Sequence, residues 1–219
     1  MTLPIKGLLL DMDGLLTDTE PLHMKAYIEA LKPHGIVLTE AQYADHWIIK
    51  GKGIQQFLEQ IGSDLSPDQI RAEKAVIYEA LVDSELQPMP GAVEFVRYFH
   101  GKVPQAVASA SYRKNVLAAL SGTGILPYLD AVISVDEAKR PKPAPDIFLK
   151  AAESLDLEPQ FCLVVEDADK GVIAAYNGGM RSIAIPNQFT GDNGFRHAEA
   201  VFASLAEAIP WIECRLAPS

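Results

Sequence analysis

Asp11 and Asp13 stand two residues apart at the end of the apolar run Leu8, Leu9 and Leu10, in the stretch LLLDMDGLLTDTE. Carboxylates at i and i+2 of an extended chain project to the same side, so the two can divide a reaction between them. Asp11 can attack an electrophile such as phosphorus. Asp13 can protonate the departing oxygen and later activate water. Ser109 in VASAS, Lys142 in RPKPAP and Glu166 with Asp167 in VVEDADKG offer further polar groups at the ends of apolar runs. If the four carboxylates ionise, the single lysine leaves a charge of −3. Two like charges at ~4 Å repel by roughly 4 kcal/mol at an effective dielectric of about 20. A divalent cation would remove most of that surplus, and all-oxygen ligands without a His/Cys cluster favour Mg²⁺ over zinc. Such a site suits phosphate. Mg²⁺ would bridge carboxylate and phosphoryl oxygens, and Lys142 would neutralise charge developing at phosphorus. Ser109, with backbone N–H groups near it and at Met12 and Ala110, would hold the remaining oxygens.

The elements that must position these groups are readable as short β-rich runs alternating with helical patterns. Residues 5–10, 104–109, 131–135, 161–166 and 181–185 read as strands, and most are apolar throughout, as in a parallel sheet covered on both faces. Helical segments at 114–120, 145–155 and 171–177 follow, which makes a doubly wound, Rossmann-like α/β core. Ligands of such a sheet sit beyond the carboxyl ends of its strands, where the candidate residues fall. Pro145 is placed as a first-turn proline. Ser66 with Gln69 and Ser204 with Glu207 read as N-terminal caps. Gly178 and Gly179 stop the helix after Asp167. One interval breaks the alternation: residues 40–47, 53–61 and 67–82, and the helical spacing of Met24, Tyr27, Ile28 and Leu31, give several helices with no strand between them. An inserted helical domain over 18–86 is expected, with the α/β core formed by 1–17 and 87–219. The QPMPG stretch at 87–91 makes its exit, before a helix at 92–100.

Composition bounds the partners. The 219 residues are 48% hydrophobic and 22% charged, enough for a substantial core. A formal charge of −10 disfavours nucleic acid and anionic lipid surfaces. No apolar stretch approaches the ~20 residues of a membrane span, and MTLPIKG has no signal-peptide layout. Cys162 and Cys214 read as buried free thiols in a reducing cytoplasm. No feature calls for an obligate protein partner.

DMDGLLTDTE, VASAS, RPKPAPDIF and VVEDADKG, in this order and each at a strand end, resemble the four motifs of the haloacid dehalogenase superfamily. The helical insertion is similar to the cap of its β-phosphoglucomutase-like subgroup. The resemblance covers nearly the whole chain and is weakest in the cap and in the last twenty-five or so residues. It implies Asp11 as nucleophile and Asp13 as general acid and base. It also implies Asp11, the backbone carbonyl of Asp13 and Asp167 as Mg²⁺ ligands with Glu166 beside them, and Ser109 and Lys142 as phosphate holders. Thr19 and His23 match the hinge region, and Lys74 matches a cap lysine that faces the core site.

Each residue also has a plainer reading. Lys142 between two prolines can be a solvated loop lysine, Ser109 can cap the next helix, and His23 can be a hydrogen-bonded structural histidine. Lys74 can be one solvated face of a helix, and Lys50-Gly51-Lys52-Gly53 a flexible basic turn rather than a substrate-facing loop. Glycines 122 and 124 end a helix rather than cradle a nucleotide. The expected function is a Mg²⁺-dependent phosphatase of small phosphorylated metabolites, sugar phosphates foremost, acting through an aspartyl-phosphate. The alternative is a hexose-phosphate mutase that returns the phosphoryl group to a sugar. β-Phosphoglucomutases clamp the distal phosphate with a cap-loop arginine, whereas KGKGIQQF has lysines only. A dehalogenase would lack Asp13. A phospho-acceptor signalling module would need neither a cap nor an adjacent acid.

Overall fold

A computed structural model describes residues 3–190 and 194–217. The strands are β1 (Gly7–Leu10), β2 (Gln105–Ala108), β3 (Ala131–Ile133), β4 (Cys162–Glu166), β5 (Arg181–Ala184) and β6 (Ala200–Val201). All pairings are parallel, in the spatial order β3-β2-β1-β4-β5-β6. Every residue of β1, β2 and β4 is buried, which is why these strands read as unbroken apolar runs rather than alternating ones.

The register aligns the functional ends. Leu10 lies opposite Val107 on one side and Val165 on the other. The next residue, Asp11, continues the ladder by donating its N–H to the Val165 carbonyl at 3.0 Å. Ser109 does the same to Ile133 at 3.0 Å. The chain leaves β1 toward β2 and β3, then returns to β4 on the other flank. The strand order therefore reverses between β1 and β4, and the crevice at such a switch point is where an open parallel sheet binds its ligand.

Helices α5 (Ala92–Phe99), α6 (Arg113–Gly122), α7 (Asp146–Ser154), α8 (Asp169–Asn177) and α9 (Leu205–Glu213) complete this unit, which comprises residues 1–18 and 87–219. One sheet face, formed by Leu9, Ala106, Ala108, Ile133 and Val164, packs with Phe148 and Ala151 of α7 and Ala174 of α8. The second unit, Thr19–Leu86, is helical: α1 (Glu20–Leu31), α2 (Glu40–Tyr43), α3 (Ile54–Gln60) and α4 (Pro67–Glu85). Leu22 and Ala26 of α1 meet Tyr78, Leu81 and Val82 of α4, while Leu31, Tyr43, Ile54, Phe57 and Ile70 form a second cluster.

Several expectations need correction. Each of the five expected strands is one or two residues shorter than its run, trimmed at one end or, for β2, at both, and β6, only two residues long, offers no run to detect. Residues 44–49 form a π-helix rather than continuing α2, closed by the Lys50 N–H on the Asp45 carbonyl at 3.1 Å. Pro145 occupies the N-cap position, one residue before the first turn. Cys162 is buried, but Cys214 is exposed. Ser66 and Ser204 do cap their helices, accepting from the N–H groups of Gln69 and Glu207. Among the described residues no helix is long and apolar enough to cross a membrane.

Candidate active site

At the carboxyl end of β1 the Asp11 side chain is 10% exposed and the Lys142 side chain 3%. The Lys142 ammonium donates to the Asp11 carboxylate, to Glu166 Oε1 at 2.7 Å and to the Ala108 carbonyl at 3.2 Å. An ammonium has three donors, so these partners satisfy it fully. The ammonium also lies 4.5 Å from the centre of the Phe148 ring. A solvated loop lysine is thereby ruled out: Lys142 is a buried charge held on two carboxylates.

Asp13 is fixed from the end of β2. Its Oδ2 accepts from the hydroxyls of Ser109 and Ser111, both at 3.1 Å. Ser109 Oγ in turn accepts from the Ser111 N–H at 3.0 Å. Ser109 is fully buried and does not cap α6, whose N-cap position is Tyr112. The second hydroxyl, Ser111, stands with Ser109 at the same strand end, but residue type alone gives it no role; the i+2 spacing in VASAS is the signal that brings both hydroxyls to Asp13. The turn after Asp13 folds back on Met12, whose carbonyl accepts from the N–H groups of Leu15, Leu16 and Thr17 and from Thr17 Oγ1. The Met12 side chain is buried, so only its backbone N–H suits the expected anion contact.

From the end of β4, Glu166 points inward at 1% exposure. Its Oε2 accepts from the N–H groups of Asp167 and Ala168, both at 3.0 Å, while its Oε1 meets Lys142. Gly171 makes this possible, because a Cβ there would lie 1.8 Å from Glu166 Oε1. Asp167, beside it, accepts the Asn187 amide on Oδ2 at 2.9 Å. Asn187, in the loop after β5, carries no sequence pattern that announces it.

Carboxylate oxygens of Asp11, Glu166 and Asp167 lie within 4.8 Å of one another. Burial raises the Asp11 carboxyl to about 7; Lys142 opposes the rise, and Glu166 and Asp13 add to it. Burial, with repulsion from Asp11 and Glu166, raises Asp167 to about 9. Burial alone would lower the Lys142 ammonium, but Asp11 and Glu166 outweigh it and keep the lysine charged. Asp11 and Asp167 are thus biased toward their protonated forms, and a metal ion bound there would displace those protons. The all-oxygen donor set fits a hard divalent cation.

Asp11, Asp13, Ser109, Lys142, Glu166 and Asp167 therefore converge, with Ala110 exposed just past β2. Within the helical unit, His23 Nδ1 lies 2.6 Å from Lys74 Nζ, and the His23 ring stacks on Tyr78 with centres 4.2 Å apart. Lys74 also lies over the Tyr78 ring at 4.2 Å, so it is not simply a solvated helix lysine. Lys50 pairs with Asp45 at 2.5 Å, and Lys52 is exposed in the loop before α3.

The family model of haloacid dehalogenase-like hydrolases matches residues 5–179. The fructose-1-phosphate phosphatase YqaB of Escherichia coli is 36% identical over 180 residues, 82% of this chain and 95% of the relative. The putative phosphatase YhcW of Bacillus subtilis is 30% identical over 207 residues, 93% of each chain. Among solved structures, CbbY from Rhodobacter sphaeroides in complex with phosphate superposes with a TM-score of 0.78 at 25% identity, covering 93% of this chain and 96% of that one. A putative β-phosphoglucomutase from Thermotoga maritima shares the fold with a TM-score of 0.81 at 24% identity, covering 97% and 100%.

Proposed function

The chain belongs to the haloacid dehalogenase-like hydrolases, and on that premise we propose that it is a Mg²⁺-dependent phosphatase of small sugar phosphates working through phospho-Asp11. The observation that carries the reading is the pairing of two differently held aspartates at the end of β1. Asp11 sits among Lys142, Glu166 and Asp167, while Asp13 hangs on two serine hydroxyls. One carboxylate is embedded in the charge cluster and the other is oriented beside it, as a nucleophile and a proton carrier require.

In the first half-reaction an Asp11 oxygen bonds to phosphorus as the bond from phosphorus to the ester oxygen breaks. Asp13 gives its proton to that departing oxygen. In the second, Asp13 takes a proton from water, the hydroxide attacks phosphorus, and Asp11 leaves as a carboxylate with release of inorganic phosphate. Lys142 holds Asp11 in place and offsets negative charge at the phosphoryl group, and Ser109 with nearby backbone N–H groups orients its oxygens. A divalent cation held by Asp11, Asp167 and the Asp13 carbonyl, with Glu166 beside it, would polarise the phosphoryl group and neutralise the carboxylate surplus. The helical unit serves as a cap, with His23, Lys52 and Lys74 as substrate-binding candidates.

Release to water is favoured over transfer to a sugar. A mutase must grip the distal phosphate of a bisphosphate while it reorients, and the loop suited to that task has no arginine fork. Of its two lysines, Lys50 is already matched by Asp45. The name of YqaB supports a sugar phosphate as substrate class. The test is a screen of phosphorylated metabolites, fructose 1-phosphate and glucose 6-phosphate included, with MgCl₂, scoring free phosphate together with interconversion of glucose 1- and 6-phosphates. Net phosphate release with little isomerisation is expected. Efficient isomerisation that depends on a bisphosphate primer, with negligible phosphate release, would overturn the phosphatase in favour of the mutase.

A further inference from the structure

Asn187 is engaged at both ends of its amide. Oδ1 accepts from the N–H groups of Phe189 at 2.7 Å and Thr190 at 3.1 Å. Two N–H donors demand an oxygen, so the amide has one orientation, and Nδ2 is the end that faces the site. There it meets two acceptors, the Gly14 carbonyl and Asp167 Oδ2, each at 2.9 Å. Gly14 belongs to the turn that follows Asp13 and Asp167 follows β4, so a single amide joins the two loops that flank the switch point.

The space around this contact admits nothing else. Gly14 has φ +86°, and a Cβ on it would lie 2.4 Å from Asp167 Oδ2 and 2.8 Å from Asn187 Nδ2. The loop that carries Asn187 is itself braced, since the Asn187 N–H donates to Thr190 Oγ1 at 3.0 Å. An amide donor on one oxygen of a carboxylate fixes the rotation of that carboxylate and leaves the other oxygen for a cation. The bond to Gly14 restrains the main chain one residue beyond the Asp13 carbonyl.

We propose that Asn187 is a positioning residue of the metal site: it sets the Asp167 carboxylate and the turn bearing the Asp13 carbonyl in the arrangement that a divalent cation needs. This rests on the reading above that Asp11, Asp13 and Asp167 hold the cation. Partners that orient metal ligands typically change affinity or activity by about 10–100-fold when removed.

The test is calorimetric titration of MgCl₂ into the full chain, for the natural protein, Asn187→Ala and Asn187→Ser. Serine can still accept the N–H two residues on and so keeps the turn, but its hydroxyl is too short to reach Asp167. Both variants should raise the Mg²⁺ dissociation constant by about tenfold or more. At saturating Mg²⁺, kcat and the KM for p-nitrophenyl phosphate should return to within about threefold of the natural protein. A merely structural role would instead lower kcat and the urea midpoint in chelator while leaving the dissociation constant unmoved. Should Asn187→Ala fail to fold, Asn187→Ser decides. A dissociation constant within twofold of the natural protein in Asn187→Ser overturns the proposal. A natural protein that neither binds Mg²⁺ nor needs it for phosphate release would fail the functional reading first, and the two failures are thus distinguishable.

Discussion

Replacing Asp11 by asparagine should stabilise the metal-free protein at alkaline pH while abolishing its chemistry. The Asp11 carboxyl, ordinarily near 3.8, is pushed to about 7, chiefly by burial and despite Lys142. An acid whose folded value exceeds its unfolded one keeps a proton in the folded state that the unfolded chain has shed. Stability therefore falls as pH rises from about 4 to about 7, and the loss is complete above that window. At about 1.4 kcal/mol per tenfold in acid strength, the rise from 3.8 to about 7 corresponds to about 4 kcal/mol at pH 8. Asparagine avoids that cost, which is already net of the attraction of Lys142, but places an amide NH₂ where the carboxylate offered only acceptors. The lysine keeps Glu166 at 2.7 Å and the Ala108 carbonyl at 3.2 Å, so it is not stranded. A net gain of about 1–3 kcal/mol at pH 8 is expected, shrinking toward zero near pH 4.5, where Asp11 is neutral in both states. Urea unfolding in excess chelator at the two pH values measures this directly, provided the slopes agree. Excess Mg²⁺ should reverse the order, because only the natural site gains the binding free energy. A variant less stable than the natural protein at pH 8 in chelator, or a difference that does not shrink on acidification, would refute this account of the site.

Gly171→Ala should cost about 1–3 kcal/mol and lower kcat/KM at least 100-fold, since its methyl needs the space of the buried Glu166 carboxylate; an urea midpoint and turnover equal to the natural protein's would show that α8 yields freely. Mg²⁺ affinity should weaken as pH falls below about 9, and more steeply below about 7, and binding should release protons, because Asp167 and Asp11 must ionise to hold the cation; titrations in buffers of different ionisation enthalpy measure the proton count, and a count of zero at pH 7 contradicts the coupling. Asp167→Ala should raise the Mg²⁺ requirement for phosphate release, read from the metal concentration at half-maximal rate; full activity in excess chelator would remove the metal from the reaction. Ser111→Ala should lower kcat more than KM, since its hydroxyl meets Asp13 at 3.1 Å, and kinetics on p-nitrophenyl phosphate separate the two effects.

What the sequence discloses here, and what it conceals, divides along physical lines. Asp11, Ser109, Glu166 and Asp167 were legible because a buried parallel strand is written as an apolar run, and the polar residue that stops the run marks the sheet edge where ligands bind. Lys142 was legible from its place in RPKPAP after the third strand-like run and from the company of the other motifs, since a lysine between two prolines reads by itself as a loop residue. The π-helix at 44–49 was not, since an extra residue in one turn leaves a helical apolar pattern nearly unchanged over so short a span. Its buried His46, with Nε2 on the Gly53 carbonyl at 3.1 Å, reads in the sequence as one more helical residue.

Asn187 exposes the deeper limit. Nucleophile, acid and metal ligands are constrained by the chemistry of the reaction, and that constraint shows in residue type and spacing. A residue that orients a ligand is constrained only by where two loops, 173 positions apart in the chain, come to face each other. An asparagine after a strand is an ordinary turn former, and its own Oδ1 bonds to Phe189 and Thr190 are ordinary turn bonds. Only the other end of the amide distinguishes it, and that end acquires meaning once β4 and β5 pair and bring Asp167 alongside. The same holds for Gly171, whose missing side chain matters solely because Glu166 folds back over the first turn of α8. The groups proposed to react at this site were readable one motif at a time. The groups that hold them at bonding distance exist as a set only in the folded sheet.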